Sequence, residues 1–149
     1  MLGMVLTHGI AVVVCSLAIS SIASANTRSN FGYSSDNYWQ VQSQSACYRN
    51  LEYSQASGYF QKNPNQLGID PVSWRHALIQ PTVWTNGSQK TQGWTIGNNT
   101  NVGSAPVTAP QIFLQPGQWM NALTRGREWT GSSWVVRAGV WSGWCTEDF

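Results

Sequence analysis

Charge is scarce in this chain. Only 9% of the residues are Asp, Glu, Lys or Arg, eight basic against six acidic, and none of them forms a run. The scatter excludes the clustered basic footprint of a nucleic-acid binder. Histidine is scarcer still, His8 and His76 alone. A Ser-His-Asp or Cys-His arrangement would have to use His76, whose setting, Trp74-Arg75-His76-Ala77-Leu78, reads as an ordinary strand position. No Gly-Xaa-Ser-Xaa-Gly elbow, phosphate loop or His-Glu zinc helix is present. A two-carboxylate hydrolase would draw on Asp36, Glu52, Asp70, Glu128, Glu147 and Asp148, but their spacing pairs none of them. The expectation is a protein with no catalytic residue, metal or cofactor.

Residues 1–25 lack charge altogether. Their apolar run, Ile10 to Ile22, is too short at about 13 residues to span a bilayer comfortably. It ends in Ser21-Ile22-Ala23-Ser24-Ala25, the small-residue pattern of a secretory cleavage site. Residues 1–25 are therefore read as a signal peptide cut after Ala25, although the segment before the run offers only His8 in place of a positive charge. The competing reading is an uncleaved anchor. Val14 before Cys15 argues against lipidation. The expectation is a secreted, extracellular protein with no membrane span in its mature form.

Beyond the leader, two cysteines remain, Cys47 and Cys145. Oxidising export makes a disulfide between them the default. Closing so long a loop is worth about 4 to 5 kcal/mol in the chain-entropy model. With His76 as the one imidazole available to complete a metal site, zinc is disfavoured.

All nine tryptophans follow the leader, among abundant Ser, Thr, Asn and Gln. That composition suits a packed extracellular β-protein better than a disordered chain. Residues 26–37 read as a flexible arm and 38–149 as one domain. Tyr38–Val41 begins the strands, and Cys47–Phe60 leans to strand. Lys62–Pro71 and Asn98–Pro110 read as loops. Ile112–Leu114 begins another strand, which Pro116-Gly117 turns.

Asn86-Gly87 marks a type I′ hairpin. It sets Thr85 against Ser88, Val83 against Lys90, Ile79 against Trp94 and Ala77 against Ile96, on a mostly apolar face. Trp84 and Gln89 fall on the other face. Pro81 implies an edge strand or a bulge. A second hairpin around Gly131-Ser132 places Trp129 against Trp134, Arg127 against Val136, Arg125 against Ala138, Leu123 against Val140 and Trp119 against Trp144. This face is the expected core. Arg125 and Arg127 upon it require either indole faces to lie over or a bulge near Gly126. The sum is an all-β, single-domain antiparallel β-sandwich, or open barrel, of about seven strands with one disulfide.

Trp84 and Trp141 stand on the polar faces of their hairpins, so they are the candidate ligand-binding residues, with Gln89 and Arg137 as polar neighbours. The stretch Arg127-Glu128-Trp129-Thr130-Gly131-Ser132-Ser133-Trp134-Val135-Val136 and the end Ser142-Gly143-Trp144-Cys145 resemble small secreted actinobacterial β-sandwich proteins, over the last third of the chain. Many of these have no assigned function, and some are subunits of secreted toxin assemblies. The resemblance implies such a role without singling out a partner-binding residue. The expected function is a secreted, non-catalytic interaction module in an extracellular protein assembly, with the 26–37 arm adding a strand to a partner. The alternative is a lectin-like protein that binds a glycan through surface Trp. A small hydrolase and a membrane-active toxin rank lower.

Overall fold

The computed structural model describes residues 25–49 and 53–147. Apart from Ala25, the expected leader lies outside them. The described residues form ten strands and no helix: β1 Ala25–Tyr33, β2 Trp39–Tyr48, β3 Ser54–Lys62, β4 Arg75–Thr85, β5 Ser88–Thr91, β6 Thr95–Ile96, β7 Ala105–Thr108, β8 Trp119–Trp129, β9 Trp134–Trp141 and β10 Cys145–Thr146. The first sheet runs β1-β2-β3-β7. The second has β4 and β8 at its centre, with β5 and β6 following one another along β4, and β9 and β10 along β8. All pairings are antiparallel. The two sheets face each other as the expected sandwich, and the Cys47–Cys145 disulfide ties β2 to β10 across it, Cα to Cα 5.8 Å.

The first hairpin has the expected turn. Asn86 and Gly87 both take positive φ, 46° and 83°, which a type I′ turn requires. Register holds from Thr85–Ser88 to Thr82–Thr91 and then slips by one, so that Ile79 faces Thr95 rather than Trp94. The cause is the segment Gln92-Gly93-Trp94, which leaves the ladder where Pro81 has no N–H to offer β5. The Pro81 carbonyl still accepts from Gln92 N–H at 2.8 Å. Pro81 thus sits fully buried in a central strand, not on an edge, and the irregularity falls on its partner.

Three further expectations are corrected. The segment expected as a loose arm contains β1, paired with β2 along its whole length. Its Ser- and Asn-rich sequence hides a ladder made by backbone groups. The expected 98–110 loop contains β7, which closes the free edge of β3. Ile112 makes one isolated bridge to Ser54 instead of starting a strand.

The largest correction concerns the second hairpin. Its register starts as expected, Trp129 opposite Trp134, but shifts between Gly126 and Arg127, so that Gly126 faces Ala138 and Arg137 is the extra residue. The core face is the reverse of the expected one. Met120, Ala122, Thr124 and Gly126 point inward, while Trp119, Leu123, Arg125, Arg127 and Trp129 point out. Contact between sheets decides this. A Cβ on Gly126 would lie 1.9 Å from the Phe60 ring. The interior is thin, filled by Ala56, Ala77, Ala105, Ala122 and Ala138 around Trp39, Val41, Phe60, Ile79 and Met120. Serines bridge it: Ser43 donates to the Ala122 carbonyl at 2.9 Å, Thr124 donates to Ser43 at 2.9 Å, and Ser45 donates to the Gly143 carbonyl at 2.7 Å. A core this shallow has room for one indole, that of Trp39.

Candidate functional site

Every other tryptophan is left on or beside the outer side of the second sheet. Strand alternation and the β4–β8 register give its rows. Trp84 faces Trp119, Thr82 faces Asn121, Gln80 faces Leu123, Leu78 faces Arg125 and His76 faces Arg127. Gln89 and Thr91 extend the rows on β5; Trp141, Val136 and Trp134 extend them on β9. Trp74 adjoins the far end, where its carbonyl accepts the Trp129 N–H at 2.8 Å.

At one end Trp84, Gln89, Trp119 and Trp144 line an open groove of about 350 Å³. Two of the expected ligand residues, Trp84 and Gln89, therefore lie together. Next in the rows is Asn121, 7% exposed, with a buried Oδ1 that has no hydrogen-bond partner. A buried acceptor without a partner is costly, and Asn121 does not line the groove itself. At the other end Trp74, Asn99, Trp129 and Trp134 line a second groove of about 290 Å³.

His76 lies under the second groove. Its ring stacks on Trp134 with centroids 4.1 Å apart. Nδ1 meets Asn99 Oδ1, and Nε2 accepts from Arg127 Nε. This network requires a neutral imidazole protonated at Nδ1. Burial pushes the His76 pKa below its ordinary value; the Asn99 bond opposes that shift and the Arg127 charge adds to it. The guanidinium of Arg127 lies over Trp134 at 5.1 Å and that of Arg125 over Trp94 at 5.2 Å. Both arginines thus find the indole faces their positions demand, but on the outside of the sheet.

The other two expected residues lie elsewhere. Trp141 is exposed on β9, where its carbonyl accepts from Asn30 Nδ2 at 2.9 Å. Arg137 bulges out to pair with Glu128, Nε to Oε2 3.0 Å. Trp119, Trp144, Arg125 and Arg127 were missed because their row was assigned to the core. The signal lay in the two arginines, which alternate with Leu123 and Trp129 on a supposedly buried face.

Of the candidate carboxylates, Glu52 and Asp148 lie outside the described residues, and Asp70 and Asp36 have structural partners. Asp70 pairs with the buried Arg75 at 2.7 Å and accepts the Gly103 N–H at 2.6 Å, while Arg75 also donates to the Gly103 and Asn101 carbonyls at 3.2 and 3.3 Å. Asp36 accepts from Ser34 and from Tyr38 N–H, bonds that hold its pKa below the usual carboxylate value. Among the described residues no cluster of three His, Cys, Asp or Glu side chains is placed to hold a metal ion, and no helix is long and apolar enough to cross a membrane. What the fold and the site define is an all-β, disulfide-bridged domain with a tryptophan-rich outer face. No family model, curated protein or solved structure matches the chain.

Proposed function

We propose that this chain is an exported, non-catalytic binding protein whose ligand is a glycan held on the outer face of the second sheet. The observation that carries the reading is the groove formed by Trp84, Trp119 and Trp144 with Gln89. Indole faces stack on the C–H faces of sugar rings, and uncharged amides bond hydroxyls without the desolvation cost of a charge. Export is supported by the leader and by the cross-sheet disulfide, which an oxidising compartment allows. The test is titration of the oxidised protein with neutral and acidic glycans, read by tryptophan fluorescence. Binding should weaken at least tenfold in Trp119→Ala. A full panel without binding would sink the reading.

A second reading, a subunit of an extracellular protein assembly, draws on a different surface. Leu67 and Ile69 are 97% and 93% exposed on the loop before β4, apolar groups that a partner would cover. The strand-addition route to that role loses its support, because Ala25–Tyr33 already belongs to this chain's own first sheet. Co-purification of a larger protein from culture medium, lost in a Leu67→Ser/Ile69→Ser variant, would favour the second reading over the first.

A further inference from the structure

We infer that the glycan is acidic: a carboxylate-bearing polysaccharide that runs lengthwise along β4 and β8, with its carboxylates taken by Arg125 and Arg127. The inference rests on the glycan reading above and specifies its ligand.

Charge is the first argument. Among the described residues Arg75 and Arg137 each have a carboxylate partner, whereas Arg125 and Arg127 have none. None of the outward positions of β4, β5, β8 and β9 that form the rows carries Asp or Glu. The face therefore presents two uncompensated cations and nothing to repel a polyanion.

Presentation is the second. Both guanidinium groups rest on indole faces, Arg125 on Trp94 and Arg127 on Trp134. Such a contact consumes no N–H donor, so N–H groups of both guanidinium groups remain to bond a ligand. His76 and Asn99 orient Arg127 further, because Nε donates to the imidazole and the terminal nitrogens remain for the ligand. Planar forks of this kind match a planar carboxylate through two parallel bonds, which a tetrahedral sulfate matches less well.

Length is the third. Trp119 and Trp129 stand at opposite ends of β8, ten residues apart, or about 33 Å at the rise of a strand. The two arginines are two residues apart, about 7 Å. A monosaccharide fills one groove at most, whereas an extended chain touches both tryptophan groups and passes the arginines between them.

The experiment is calorimetric titration of the oxidised full-length mature protein with polygalacturonate, with its methyl ester and with dextran sulfate, at low and high salt. Polygalacturonate should bind about tenfold more tightly than the neutral ester, and Arg125→Gln should remove most of that preference, with Arg125→Lys restoring only part of it because an ammonium returns the charge without the planar fork. Salt should weaken the acidic ligand and spare the ester. Arg127→Gln also frees His76, so its unfolding midpoint is measured beside it; Arg125→Gln carries no such risk. Equal binding of acid and ester would overturn the inference and leave the glycan reading standing. So would a preference for the acid that survives both glutamine variants. Dextran sulfate binding as tightly, unaffected by Trp119→Ala, would reduce the effect to polyanion adsorption and overturn it too. Failure of all three polymers to bind would overturn the inference, and the full glycan panel then decides the glycan reading.

Discussion

The two sheets turn unlike faces to solvent. On the first, alternation sends out Ser29, Phe31 and Tyr33 from β1, Gln40, Gln42 and Gln44 from β2, and Gln55, Ser57, Tyr59 and Gln61 from β3. Three of them bond in a chain: Gln61 donates to Gln40 at 3.0 Å, and Gln40 donates to the Tyr33 hydroxyl at 3.2 Å. These positions carry neither tryptophan nor charge. The second sheet sends out tryptophans and two arginines. A face of neutral amides with Phe31 and Tyr33 on its edge strand offers a ligand no charge and no indole. A face of half-exposed indoles and uncompensated cations offers both, and that difference, more than any single residue, locates the proposed site.

The comparison breaks most severely if the inward side of β8 is wrongly placed. Gly126→Ala puts a methyl group into the Phe60 ring and should cost about 3 kcal/mol, the upper end of ordinary overpacking. Urea unfolding measures it. Leu123→Ala, one row over and pointing out, should cost less than about 1.5 kcal/mol by the same assay, since a half-exposed leucine loses only part of a core leucine's burial. Equal costs would mean that the faces are still reversed.

Binding gives the next effect. Trp84→Ala and Trp119→Ala should each weaken glycan affinity at least tenfold, with unfolding midpoints near the wild-type value. Tyr33→Ala and Tyr59→Ala, the matching truncations on the first sheet, should leave affinity within about twofold of the wild type, as expected for residues outside a binding site. Loss through the tyrosines and not the tryptophans would transfer the site to the first sheet.

Much of this fold was legible in the chain. Asn86-Gly87 reports a turn through its own backbone demands, so the first four pairs of that hairpin follow from it. Two cysteines beyond the expected leader leave one bridge to make. Local chemistry did not say which side of β8 faces in. The usual rule assigns the more apolar row to the core, and Trp119, Leu123 and Trp129 obey that rule on the wrong side. The true inward row, Met120, Ala122, Thr124 and Gly126, is chosen by what approaches from the other sheet, above all Phe60. β1 escaped for a similar reason, because its ladder with β2 depends on backbone groups that Ser and Asn do not advertise. Half of the candidate site, Trp84 with Gln89, was visible because its hairpin was anchored by the turn. The other half hung on the β8 face and was lost with it.

His76 extends the comparison to pH, because the first sheet's outward rows hold no histidine. Its folded pKa lies below the unfolded value near 6.5. Above that value both states are neutral and the group contributes nothing. As pH falls below it, the unfolded chain binds a proton that the folded chain refuses, so stability declines until the folded pKa is reached. Unfolding midpoints measured from neutral into mildly acid buffer should show this fall, and His76→Gln should flatten it. Arg127 would lose its acceptor once His76 is protonated, so acid should also loosen the second tryptophan groove. An unchanged slope in His76→Gln would assign the pH dependence to other groups.

The smallest effect belongs to the pair that looks most like a site on charge alone. Arg137 bulges from β9 and reaches Glu128 at 3.0 Å, with its side chain 37% exposed. Solvent screens such a pair, and exposed ion pairs contribute about 0.2 to 1 kcal/mol. A double-mutant cycle on Glu128→Gln and Arg137→Gln should return a coupling in that range, with glycan affinity unchanged because the arginine is already neutralised. Arg125→Gln, removing a cation from the same sheet, should cost at most about 0.5 to 1 kcal/mol through its contact with Trp94 and weaken binding of an acidic chain. Two arginines twelve positions apart would then differ in their effect on binding for one reason: a carboxylate of the protein already occupies one of them, and none occupies the other.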